Sequence, residues 1–128
     1  MKGRILVIED SDANLELMRF LLKAYGYTVF TALDGKEGLS SIRRDKPDLV
    51  ICDIQLPGMD GTELAREIRN DAAFCSVPLV AVTAMAMLGD REAILAAGFD
   101  GYLSKPIEPQ TFVAQVEFYL NQGRLPAV

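Results

Sequence analysis

Four apolar runs in this chain each end on a residue that can do chemistry. Arg4-Ile5-Leu6-Val7-Ile8 runs into Glu9-Asp10, and Leu49-Val50-Ile51-Cys52 into Asp53. Pro78-Leu79-Val80-Ala81-Val82 ends at Thr83, and the weaker Gly101-Tyr102-Leu103 leads to Ser104-Lys105-Pro106. Taken singly, each residue has an ordinary explanation. Glu9, Asp10 and Asp12 suit the start of a helix, Asp53 a turn before Leu56-Pro57-Gly58, Thr83 a strand, and Lys105 a solvated site beside a turn proline. Taken together, they set acid, acid, hydroxyl and amine at successive strand ends, which independent accidents would not do.

The chain contains no histidine. It therefore cannot run a Ser-His or Cys-His nucleophilic site or carry a phosphohistidine, and any reaction falls to carboxylates, hydroxyls, lysine or a metal. Carboxylates crowded in a low-dielectric crevice repel one another. They become tolerable around a hard divalent cation, and Mg²⁺, with Mn²⁺ as a substitute, suits a shell of carboxylates, waters and phosphate oxygens. Such a cation lowers the repulsion between a carboxylate and an incoming phosphoryl oxygen. Lys105 can pair with a second phosphoryl oxygen and the Thr83 hydroxyl can donate to a third. The set suits Asp53 as nucleophile in phosphoryl transfer.

The elements that must position these residues alternate in period along the chain. After the first strand comes a helical stripe of Leu15, Met18, Leu22 and Tyr25, capped by Ser11 or Asp12 and stopped by Gly26. Tyr27 to Thr31 reads as a second strand. Asp34 with Glu37, and Asp60 with Glu63, look like capping boxes for helices carrying Leu39 and Ile42, then Leu64 and Ile68. A short helix with Ile94 and Ala97 stops at Gly98, and Pro109 opens a last helix with Phe112, Val113, Val116 and Leu120 inward. Strand–helix alternation with continuously apolar strands predicts an α/β fold, a doubly wound parallel sheet with helices on both faces. One domain spans 1–121, with 122–128 a short tail whose periodicity lapses from Asn121.

Composition narrows the partners. A net charge of −5, with 13 basic residues scattered and only Arg43-Arg44-Lys46 clustered, argues against a nucleic-acid partner. That trio reads as a solvated helix end. Cys52 and Cys75 match no metal-ligand spacing and read as free thiols in a reducing cytosol. Neither a signal pattern nor an apolar run of membrane-spanning length is present, so a cytoplasmic protein without membrane contact is expected.

From about Arg4 to Leu120 the chain resembles the receiver family of bacterial two-component signalling. The resemblance is carried by Glu9-Asp10, by Asp53-Ile54-Gln55-Leu56-Pro57-Gly58-Met59-Asp60-Gly61, by Thr83-Ala84 and by Lys105-Pro106. It implies a flavodoxin-like sheet of order 2-1-3-4-5 and a phosphohistidine donor on a histidine kinase or phosphotransfer protein. It implies Asp53 as phosphoacceptor, Asp10 and Asp53 as direct Mg²⁺ ligands, Glu9 acting through water, and the Gln55 main-chain carbonyl completing the protein's share. It also implies a phosphoryl-binding and switch set of Thr83, Ala84, Tyr102 and Lys105, and a cis bond before Pro106. Gln55 and Met85 fall where the family varies and phosphoryl lifetime is tuned. Here they favour a long-lived mark, a reading that equal dephosphorylation of Met85→Glu and wild type would remove.

The stretch Val82 to Asp90 is similar to DivK-type single-domain regulators and to receivers of hybrid kinases. The expected output is protein–protein contact with a downstream target through the fourth helix, fifth strand and fifth helix. Met85, Met87 and Leu88 form either an adaptable docking patch or packed side chains. The alternative to an effector switch is a phosphorelay intermediate or phosphate sink. A flavin carrier of the same topology would need amides and hydroxyls in its first loop, where this chain presents Glu9-Asp10-Ser11-Asp12. An aspartyl-phosphate hydrolase would want a second acid two residues after its nucleophile, and Gln55 stands there.

Overall fold

A computed structural model describes residues 3–84 and 88–122. Five strands alternate with five helices: β1 Arg4–Ile8, α1 Asp12–Ala24, β2 Thr28–Ala32, α2 Gly35–Asp45, β3 Leu49–Asp53, α3 Gly61–Asn70, β4 Leu79–Thr83, α4 Leu88–Ala96, β5 Gly101–Ser104 and α5 Phe112–Gln122. The strands form one parallel sheet in the order β2-β1-β3-β4-β5. This is the doubly wound arrangement expected from the alternation, and it puts the reversal of strand order between β1 and β3.

Side-chain alternation along the strands divides the core in two. Ile5, Val7, Leu49, Ile51, Val80 and Val82 pack with Leu15, Met18 and Leu22 of α1 and Phe112, Val113 and Val116 of α5. Leu6, Ile8, Val50, Cys52, Leu79 and Ala81 face the other way, against Ile42 of α2, Leu64 and Ile68 of α3, and Ile94 of α4. Burial on both faces explains why β1, β3 and β4 carry unbroken apolar runs.

The helix ends follow the sequence. Ser11 caps α1 and accepts from the Asn14 N–H, and Asp34 and Asp60 accept from the N–H of Glu37 and Glu63. Arg43 and Arg44 close the last turn of α2, with Lys46 as its left-handed cap.

Three boundaries differ. Tyr25 is the exposed cap of α1 rather than part of its inner stripe. The β2 ladder starts at Thr28, whose N–H bonds Gly3 O, so the strand runs one residue later than Tyr27 to Thr31. Tyr27 is instead buried, and its hydroxyl donates to Glu117 Oε2 at 2.6 Å. Finally, Pro109 lies in a turn in which Thr111 N and Phe112 N both bond Glu108 O, and α5 proper runs from Phe112 through Asn121 to Gln122. Residues 123–128 lie outside the described residues, as do Met85 and Met87 and the side chain of Leu88.

A largely buried guanidinium closes the amino end of the sheet, at the edge opposite Asp53 and Thr83. Arg69 of α3 donates to the carbonyls of Gly98 (2.9 Å), Cys75 (3.0 Å) and Val77 (2.5 Å), and to Asp100 Oδ2 (2.9 Å). Asp100 Oδ2 also accepts the Leu79 N–H at 2.9 Å, so one carboxylate ties α3 to the starts of β4 and β5. Removing one partner of such a pair strands the other's charge in a dry site. Asp100→Ala is therefore expected to lower unfolding stability by about 3–5 kcal/mol, read from urea unfolding; a loss below about 1 kcal/mol, the range of an exposed pair, would show that the hub is dispensable.

Candidate functional site

Parallel strands all deliver their last residues to the same sheet edge. Glu9 and Asp10 follow β1, Asp53 ends β3, Thr83 ends β4 and Lys105 follows β5. The structure brings the acids and the amine together. One carboxylate oxygen from each of Glu9, Asp10 and Asp53 lies within 4.8 Å of the others. Lys105 Nζ donates to Asp53 Oδ2 at 2.8 Å and stands 3.7 Å from Glu9 Oε2.

Burial decides how these charges behave. Glu9 is fully buried, Asp53 is 3 % exposed, and Asp10 is exposed to solvent. Glu9 Oε1 accepts the Ser11 N–H at 3.2 Å, whereas Oε2 is a buried oxygen without a hydrogen-bond partner among the described residues. Burial, then the closeness of the Asp53 carboxylate and its charge, push the Glu9 carboxyl up to about 7, against the Ser11 N–H and Lys105, which pull it down. At Lys105, burial works against the charge, but the Asp53 hydrogen bond and the Glu9, Asp53 and Asp10 charges outweigh it, and the ammonium is held above its ordinary range. Cys52 points to the opposite face, where burial and the neighbouring carboxylates push its thiol well up and leave it unreactive.

Main-chain geometry fixes the remaining pieces. The Gln55 N–H bonds Asp53 Oδ1 at 2.9 Å, and Ile54 N–H extends the β3–β4 ladder to Val82 O. Lys105 N–H bonds Thr83 O at 2.9 Å, and the Lys105-Pro106 peptide is cis. Thr83 is buried and Ala84 exposed at the bend that follows. Tyr102 is not drawn into the acidic cluster. Its register partner is Ala81, which puts it on the same sheet face as Thr83, and its half-buried ring lies 5.5 Å from the Arg91 guanidinium of α4.

Comparison with known proteins gives this site its context. Residues 5–117 match the response regulator receiver domain family. The chain belongs to that family. This receiver domain is 38% identical to the polar-differentiation response regulator DivK of Brucella anthropi, over 96% of this chain and 100% of that protein. It superposes on the receiver domain of the sensor histidine kinase PA1611 from Pseudomonas aeruginosa PAO1 with TM-score 0.85 and 34% identity, covering 93% of this chain and 98% of that one. The PA1611 structure holds a magnesium ion coordinated in its active site cleft. The chemotaxis response regulator CheY4 of Vibrio cholerae matches with TM-score 0.87 and 26% identity over 91% of this chain and 98% of that chain. The receiver domain has no helix, among its described residues, long and apolar enough to cross a membrane.

The residues here fit such a cation. Three carboxylates face one ammonium, the donors are hard oxygens, and Glu9 Oε2 is a buried acceptor with nothing to accept. Two groups that sequence reasoning did not single out support the set: the Ser11 N–H behind Glu9 and the Gln55 N–H behind Asp53. Both are main-chain donors, whose direction no side-chain pattern records.

A carboxyl raised in the folded state keeps its proton longer than in the unfolded chain. Between Glu9's ordinary value of 4.5 and about 7 the native receiver domain holds more protons, so its metal-free stability falls as pH rises through that window. Urea unfolding between pH 5 and 7.5 is expected to show this fall in wild type and a flatter profile in Glu9→Gln. Parallel profiles would mean that Glu9 is ionised throughout.

Proposed function

We propose that this receiver domain accepts a phosphoryl group on Asp53, in an Mg²⁺-dependent transfer from a phosphohistidine donor, and so switches a protein-docking surface. The observation that carries the reading is the Lys105–Asp53 contact at 2.8 Å inside a cluster of three carboxylates. An aspartate whose one carboxylate oxygen is paired with an ammonium at a sheet's carboxyl edge is suited to act as a nucleophile.

In the transfer, an Asp53 carboxylate oxygen forms the new O–P bond while the N–P bond of the donor phosphohistidine breaks. The electron pair of that bond leaves on the imidazole nitrogen. Lys105, now on Asp53 Oδ2, is within reach of the incoming phosphoryl oxygens, and the Thr83 hydroxyl and Ala84 sit at the end of the adjoining strand. Asp10, Asp53 and the Gln55 carbonyl would hold Mg²⁺, with Glu9 in support. When bound, the cation supplies the positive charge that lets carboxylate and phosphoryl oxygens approach.

The switch runs from Thr83 to Tyr102. A Thr83 hydroxyl engaged by the phosphoryl group vacates space on the sheet face that Tyr102 shares, and the Tyr102 ring then leaves Arg91. That move alters the α4–β5–α5 face, where Leu95 and Phe118 are exposed. The match to DivK over its whole length favours an effector switch working in the cytoplasm beside a histidine kinase or phosphotransfer protein and a downstream protein target. The match to the receiver of a sensor kinase favours, as a second reading, a relay that hands the group onward.

Phosphotransfer profiling against a panel of phosphorylated histidine kinases tests this. At least one kinase is expected to label wild type and none Asp53→Asn. No labelling of wild type by any kinase, or labelling of Asp53→Asn, would overturn the proposal.

A further inference from the structure

The loop that carries Gln55 is tied shut at its neck. The Gly61 N–H at the start of α3 donates to Ile54 O at 2.8 Å, bringing the first turn of the helix against the exit of β3. An ideal Cβ at position 61 would lie 2.7 Å from Asp53 O and 2.8 Å from Ile54 Cα. Both atoms are main chain, so no side chain can rotate away to make room. Gly61 is not among the positive-φ glycines, which are Gly26, Gly58 and Gly98. Proximity, rather than an unusual backbone angle, is what calls for glycine here.

Neither side of the neck gives easily. Ile54 is held from the sheet by its N–H on Val82 O, and Gln55 by its N–H on Asp53 Oδ1. Behind Gly61, α3 is anchored by Leu64, Ala65 and Ile68, all buried in the core, and its N-terminus is fixed by the Asp60 cap. A methyl group at position 61 must therefore displace the Asp53–Ile54 main chain, which leads directly into Gln55 and its N–H contact to the Asp53 carboxylate.

We infer that Gly61 is a positioning residue of the phosphoacceptor site, its missing side chain setting the Gln55 carbonyl beside Asp53 for the cation. The inference rests on the functional reading above, in which that carbonyl is a metal ligand. Gly61 touches no ligand itself and acts through the main chain, as outer groups commonly do at metal sites.

The test is Mg²⁺ titration by calorimetry of wild type, Gly61→Ala and Ile68→Val, with urea unfolding of each. Ile68→Val loosens the same helix from within the core without touching the neck. Gly61→Ala is expected to bind Mg²⁺ about tenfold or more weakly, with phosphorylation by a small-molecule phosphodonor restored at raised Mg²⁺. Ile68→Val is expected to keep wild-type affinity. If Gly61→Ala is unfolded in buffer, the titration is run in trimethylamine N-oxide, which restores compaction by exclusion from the protein surface. Equal affinity of Gly61→Ala and wild type, or equal weakening in Ile68→Val, overturns the inference alone. A wild type that binds no Mg²⁺ overturns the functional reading and this inference with it.

Discussion

Like charge held at close range is the constraint around which this molecule is built. Glu9 and Asp53 are buried side by side, with Asp10 at the rim, and one ammonium answers all three. The arrangement is costly in the absence of a cation, as the raised Glu9 carboxyl records. A fold can hold such a cluster only if its backbone will not yield. Three central strands buried on both faces supply that rigidity, and the crossover at β1 and β3 leaves the crevice in which the acids meet.

The two ends of the sheet divide the labour. At the amino end, Arg69 and Asp100 use charge for structure: nearly every donor is spent on a carbonyl or a carboxylate, and β4 and β5 are locked in place. At the carboxyl end, charge is left unsatisfied. Glu9 Oε2 is the clearest sign, a buried oxygen that accepts no hydrogen bond among the described residues and has the Lys105 ammonium no nearer than 3.7 Å. Tyr102, packed toward α4 under Arg91, links that end to the exposed face formed with α5.

Much of this was legible in the sequence because it rests on patterns with a physical period. Unbroken apolar runs announced doubly buried strands, capping residues fixed the starts of α1, α2 and α3, and the acids, hydroxyl and lysine at strand ends pointed to one edge. What escaped was whatever depends on long-range geometry or on main-chain groups. Arg69 and Asp100 sit in no motif, and their pairing across the amino end follows only from the packing of α3. Tyr25 carried the helical period one residue too far because periodicity alone cannot tell a last turn from a cap. Tyr27 read as a strand residue because its burial under α5 depends on Glu117, ninety residues away in sequence. Gly61 was visible within a motif, but the reason for it, the carbonyl of Asp53 standing where a Cβ would need room, was not.

The central claim, that Asp53 is a phosphoryl acceptor, is tested most directly by trapping the acyl phosphate itself. Wild type is incubated with acetyl phosphate and Mg²⁺, reduced with borohydride, digested and sequenced by mass spectrometry. The account predicts homoserine at position 53 and at no other acidic residue, dependent on Mg²⁺. Homoserine at another carboxylate, or none at position 53 when the cation and donor are saturating, would contradict it.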